Sequence, residues 1–246
     1  GKVVEVDCVL IEVLALLVVA AGVFVQSRIG IGYGLLAAPV LYQINPAYVP
    51  GPILMIGFCL AVVMVTQGYQ QLRWRRILPA ILARVPGAWA GALLVQAMSQ
   101  ALLGLFLGAT LLLATLLSWH SIKLRTTGPN LTLGGFFSGL IGTATGIGGP
   151  PMALVYQEHN PAVARAELAG FFLIGTLISL AMLFSAGQLS EANIWLSLKL
   201  LPGMALGSFL GYRSERIWQI HTLKPWVLTI SLLAALLPIT KGLLAL

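Results

Sequence analysis

Six stretches of this chain, residues 48–68, 77–98, 101–119, 166–187, 192–212 and 225–246, each hold at most one charged side chain. Crossing a hydrocarbon core takes about 20 residues of helix. In lipid, backbone polar groups must be satisfied inside the segment, which leaves helix as the conformation. Helices of a soluble bundle carry a charged face, and none of these segments has one. Composition agrees, since 9% of residues are charged where a soluble domain has about 25%. The expected fold class is all-α integral membrane. Cys8 and Cys59 form neither a zinc spacing nor a disulfide framework. A signal-peptide reading of residues 9–26 lacks a convincing cleavage site.

The second constraint is an internal repeat. Gly30-Ile31-Gly32 recurs as Gly146-Ile147-Gly148, and Pro86-Gly87 with Gly91 recurs as Pro202-Gly203 with Gly207, both 116 residues later. Asn45-Pro46-Ala47 recurs at Asn160-Pro161-Ala162, and Tyr42-Gln43 at Tyr156-Gln157, at offsets of 115 and 114. In each half an apolar segment enters a glycine-rich break, a short segment comes next, and three full spans complete the unit. The first pair covers 9–28 and 31–44, its counterpart 131–143 and 147–158. The boundaries are a first transmembrane repeat over 1–120, a cytoplasmic linker over 121–130 and a second repeat over 131–246. The short pair contributes an even number of half-crossings and the three spans an odd number, so the repeats are expected to be inverted.

Charge supports that count. Parity puts Arg73, Arg75, Arg76, Lys123, Arg125, Arg165, Arg213, Arg216 and Lys224 on one face, opposite Lys2, Glu5, Asp7, Glu191 and Lys241. By the positive-inside rule the face with nine cations is cytoplasmic, so both termini are expected outside a bacterial inner membrane. Topology accounts for the basic balance, and no nucleic-acid partner is needed. The partners implied are a small anionic substrate and the lipid bilayer, with a homo-oligomer compatible; no cofactor is implied.

The chemistry is expected at the breaks. Inverted repeats with interrupted helices are a plan of secondary transporters, with the site near the midplane. A new helix N-terminus exposes N–H groups that attract anions, and glycine lets a ligand approach the backbone. Gly30, Gly32 and Gly34 open one short helix; Gly146, Gly148 and Gly149 open the other, ahead of Pro150 and Pro151. Ser27, Thr143 and Thr145 add hydroxyl donors beside them. Arg28 precedes the first break, and Arg84 and Lys199 each lie eight residues into a span, about 12 Å deep. Such cations are costly in a membrane and are candidates for an interior anion site. Glu12 and Glu167 are the carboxylates closest to the membrane and candidate proton relays.

At these residues the chain resembles a known family. Ser138-Gly139-Leu140-Ile141-Gly142 running into Gly146-Ile147-Gly148-Gly149-Pro150, with the sister break Gly30-Ile31-Gly32-Tyr33-Gly34 ending at Pro39, is similar to the TauE/SafE family of sulfite and organosulfonate exporters. Tyr33 departs from that pattern, standing where glycine is common. The resemblance covers nearly the whole chain and implies export of sulfite, sulfoacetate or a related small sulfur-containing anion. The duplicated Asn-Pro-Ala offers a rival, an aquaporin-like channel. There the tripeptide begins a half-helix after two full spans, whereas here each copy comes after the glycine break and precedes a full span. The plain role of each asparagine is to cap the next helix. For an intramembrane enzyme, no His-Glu-x-x-His or Gly-x-Ser-x-Gly arrangement occurs, and no nucleophile and base pair is evident.

Overall fold

The computed structural model describes residues 2–120, 122, 124–214 and 223–245, without the side chains of 2–6, 223–228 and 231. Lys123, Arg216 and His221 lie outside the described residues, as do the side chains of Lys2, Glu5 and Lys224. Every element among the described residues is helical. In order they are α1 (Lys2–Ile29), α2 (Tyr33–Ile44), a 3-10 turn (Pro46–Tyr48), α3 (Gly51–Gly68), a second 3-10 turn (Tyr69–Gln71), α4 (Trp74–Ala97), α5 (Gln100–Trp119), α6 (Gly128–Thr145), α7 (Gly149–Val155), α8 (Pro161–Ser185), α9 (Glu191–Arg213) and α10 (Leu223–Leu244). Six helical stretches are long and apolar enough to cross a membrane: Asp7–Ile29, Gly51–Gln71, Trp74–Ala97, Gln100–Trp119, Pro161–Ser185 and Glu191–Arg213. The protein is an all-α membrane protein. The two helices that lead into the breaks differ in length, with 28 residues in α1 and 18 in α6.

Small residues decide how the helices cross. A side chain on Gly87 or Gly91 of α4 would strike the backbone of Phe136 or Leu140 in α6. Gly135 and Gly139 of α6 are pressed in turn against Ala80 and Arg84. Gly203 and Gly207 of α9 lie in the same way on Leu16 and Ala20 of α1. Without a hydrophobic force between helices in lipid, such close backbone approach is what holds them together. The repeated Pro-Gly thus marks a crossing, α4 on α6 and α9 on α1. Around these pairs, α5 packs on α10 and α3 on α8.

The duplicated tripeptides are caps. Asn45 Oδ1 accepts from Ala47 N at 3.0 Å, and Asn160 Oδ1 accepts from Ala162 N at 2.9 Å. The repeated tyrosines tie down the far ends of the two short helices. Tyr42 donates to the Gln100 carbonyl at 2.8 Å, and Tyr156 donates to Glu167 at 2.7 Å. Thus α2 ends near the α4–α5 junction and the N-terminus of α9, where Asn193 reaches Ala47 O at 3.1 Å. In contrast, α7 ends beside the start of α8, next to Arg76 of α4.

Candidate functional site: a buried arginine between two helix breaks

Arg84 is 1% exposed and lies where α4, α6 and α8 meet. Its two terminal nitrogens donate to Ser138 Oγ of α6 and Ser179 Oγ of α8, each at 2.9 Å. Thr143 donates to the same Ser179 oxygen at 2.7 Å, and Ser138 donates onward to the Gly148 carbonyl. The Phe171 ring stacks 5.2 Å from the guanidinium carbon. The stem of Arg84 fills the space that a side chain on Gly175 would take. All these partners are neutral, and no carboxylate among the described residues pairs with Arg84. Its Nε has no acceptor among the described residues. A buried guanidinium with no counter-charge among the described residues is costly, and its chemistry fits an anion.

The two breaks meet beside it. A side chain on Gly34 would strike Gly146 O, and one on Gly149 would meet Ile31 Cβ at 3.2 Å. Gly32 and Gly146 have φ of 130° and 78°, a region that L side chains rarely adopt. Between the breaks is a cavity of about 40 Å³ lined by Arg84, Tyr33, Gln26, Thr176 and glycines from both breaks, Gly32 and Gly34 on one side and Gly146, Gly148 and Gly149 on the other. Tyr33 is 3% exposed, and its hydroxyl has no hydrogen-bond partner among the described residues. The cavity is thus lined by one cationic side chain, Arg84, and one phenolic side chain, Tyr33.

The expectation of free backbone N–H groups at both breaks needs narrowing. Tyr33 N is already bonded to Gln26 Oε1 at 3.1 Å, and Ile147 N to Thr145 Oγ1 at 3.1 Å. At the start of α7, Pro150 and Pro151 have no N–H to offer. Attraction for an anion therefore rests more on Arg84 than on the helix ends.

Of the candidates read from the sequence, Gly32, Gly34, Arg84, Gly146, Gly148 and Gly149 line one cavity, and Thr143 is bonded to a partner of Arg84. Thr145 bonds within its own helix, to Ile141 O at 2.7 Å, and caps the break. Ser27, Arg28 and Gly30 lie off the cavity. Gly30 backs onto Arg165 and Leu168, Arg28 is buried at 5% exposure, and Ser27 lines a different cavity with Arg165.

Lys199 is not brought to the centre. Its side chain is 62% exposed and pairs with Glu12 of α1 at 3.4 Å. The cause is one position of register. With the repeat offset of 116, the counterpart of Arg84 is Leu200, which is 1% exposed in the core. One residue turns a helical side chain by about 100°. Lys199 is thereby turned off the buried face of Leu200, Gly203 and Gly207 and reaches Glu12 from an exposed position. Glu167 is fully buried, held by Tyr156 at 2.7 Å and Arg76 at 3.3 Å. Sequence reasoning passed over Gln26, Tyr33, Ser138, Phe171, Thr176 and Ser179. Polar side chains inside otherwise apolar runs were the available signal for most of them, as they were for Arg84.

The geometry can be set beside known proteins. The family model described as sulfite exporter TauE/SafE matches residues 14–237. A protein named probable sulfite/organosulfonate exporter TauE, from Cupriavidus necator, is 26% identical, the match covering 78% of this chain and 80% of that protein. No solved structure matches the chain significantly. The model match spans both breaks, both Pro-Gly crossings and Arg84, and these family members are membrane transporters rather than enzymes. The chain belongs to the sulfite exporter TauE/SafE family.

Proposed function

We propose that the protein exports sulfite or a closely related small sulfur oxyanion, held in transit by Arg84 in the cavity between the two breaks. The observation that carries this reading is the 1% exposed Arg84 with, among the described residues, no carboxylate opposite it and no acceptor for its Nε. Tyr33 Oη and the glycine-lined walls supply a second donor and close approach to backbone. Size supports the smallest substrates. One water takes about 10–15 Å³ on this measure, so about 40 Å³ accommodates a compact oxyanion better than a long organic tail.

The residues assigned to substrate are Arg84, Tyr33, Gly32, Gly34, Gly146, Gly148 and Gly149, with Thr143, Ser138 and Ser179 positioning the guanidinium. The chain is read as two inverted repeats, 1–120 and 131–246. Supporting this, α2 and α7 run from the shared cavity to different ends of the bundle, and equivalent Pro-Gly motifs make the crossed α4–α6 and α9–α1 contacts. The end bearing Arg73, Arg75, Arg76, Arg125, Arg165 and Arg213 is cytoplasmic on the positive-inside rule, which leaves both termini outside. Purified protein in liposomes, offered sulfite, thiosulfate, sulfoacetate and taurine, tests the reading. Sulfite flux that vanishes in Arg84→Gln is expected; flux of none of these anions would reject it.

A further inference from the structure

Tyr33 and Gly149 stand at equivalent positions of the two breaks, 116 residues apart, and both line the cavity at Arg84. One half of the protein thus brings an aromatic ring to a place where the other half brings no side chain. Tyr33 is the first residue of α2, and its ring lies between α1 and α3. A side chain on Gly22 of α1 would come within 3.4 Å of Tyr33 Cδ2, and one on Gly57 of α3 within 3.8 Å of Tyr33 Cε1. Gly57 and Thr176 of α8 line the same cavity. Thr176 turns its methyl group toward Gly57, 4.0 Å from where a side chain there would begin, and its hydroxyl is bonded within α8 to Phe172 O at 2.7 Å. The space that the ring holds is therefore bordered by two glycines and a methyl group.

Packing alone would be served by phenylalanine, because a buried hydroxyl without a partner is costly, and Tyr33 Oη has none among the described residues. In a cavity that also holds Arg84, an anion accounts for that hydroxyl, because its oxygens accept from both. The ring meanwhile limits how large that anion can be. We propose that Tyr33 is the residue that restricts transport to compact oxyanions, its ring occupying the place that the carbon tail of an alkanesulfonate would need. An alkyl tail suits the apolar borders of that place, so the ring and not the polarity of the wall excludes it. The proposal rests on the reading of Arg84 as the anion site and narrows the substrate class to oxyanions without an alkyl group.

The test is flux of sulfite, methanesulfonate, ethanesulfonate and propanesulfonate in liposomes for a series that shrinks the side chain. The parent should carry sulfite at least about tenfold faster than ethanesulfonate. The ratio of ethanesulfonate to sulfite flux should rise about tenfold in Tyr33→Leu and further in Tyr33→Ala, since a single methylene in an apolar pocket already discriminates about 10–200-fold. Tyr33→Phe should keep the parental ratio and raise half-saturating sulfite about tenfold, the loss of one hydrogen bond to a charged group. Ethanesulfonate flux in Tyr33→Ala should vanish when Arg84→Gln is added, which separates a widened site from a leak. A ratio that stays flat across the series, ethanesulfonate flux that survives Arg84→Gln, or loss of all flux in both Tyr33→Leu and Tyr33→Ala overturns the filter. So does a parent that carries ethanesulfonate as fast as sulfite. Each of these results leaves Arg84 as the anion site, provided that parental sulfite flux is lost in Arg84→Gln; a parent that carries none of these anions overturns both readings.

Discussion

Arg84 and Lys199 show how much one residue of register decides. They are the only cations of the apolar runs 77–98 and 192–212, yet one is enclosed by Ser138, Ser179 and Phe171, and the other is paired with Glu12 on an exposed face. Lys199→Ala and Glu12→Gln are therefore expected to leave sulfite half-saturation within about twofold of the parent, because exposed ion pairs contribute little. A loss comparable to that of an Arg84 variant, measured in the same liposomes, would return Lys199 to the site. Gly148 is the opposite case. A side chain there would meet Ser138 Oγ at 3.0 Å and an Arg84 nitrogen at 3.3 Å. Gly148→Leu should insert normally and abolish flux, because the leucine occupies the arginine's cradle. Normal flux in that variant would mean that the cradle is not used.

At the scale of elements, the crossing of α4 on α6 holds the site together. Gly135 touches the backbone of Ala80, whereas a side chain on Gly128 at the start of the same helix would meet nothing within 4 Å. Gly135→Val should lower the melting temperature in detergent by several degrees, since overpacking costs about 1–3 kcal/mol and 1 kcal/mol shifts a protein of this size by about 2–4 °C. Gly128→Ala should melt like the parent; equal melting of both variants would mean that the crossing does not hold the site. These elements were legible in the sequence because lipid forces long apolar runs into helix and because the Pro-Gly and Gly-x-Gly motifs recur. The length of α1 was less so, since residues 2–8 are more polar than the rest yet are helical. The cavity wall was legible only in part. Glycine spacing pointed to the breaks, but which neutral side chains solvate Arg84 depends on α6 and α8 meeting across 41 residues of separation between Ser138 and Ser179. No local pattern encodes that meeting. Nor does the Gly30-Ile31-Gly32 pattern reveal that Gly30 faces Arg165 while Gly32 faces the central cavity.

For the whole molecule, the proposed inverted topology and the proposed anion site at Arg84 belong together, since the two breaks meet beside that arginine. In a background lacking Cys8 and Cys59, Ser190→Cys should be labelled by an impermeant thiol reagent on intact cells, and Arg125→Cys should not. The reverse pattern would invert the orientation, and labelling of both would break the parity of the repeats. The central claim is that Arg84 holds the transported anion, and direct binding tests it without assumptions about coupling or direction. Sulfite titrated into purified protein in a calorimeter should bind the parent and bind Arg84→Gln roughly ten- to a hundredfold more weakly, since hydrogen bonds to charged groups contribute about 1.5–3 kcal/mol. Arg84→Lys should fall between them, because an ammonium keeps the charge but lacks the planar fork that suits an oxyanion. Equal affinity of Arg84→Gln and the parent, in a variant that melts normally, would contradict the claim.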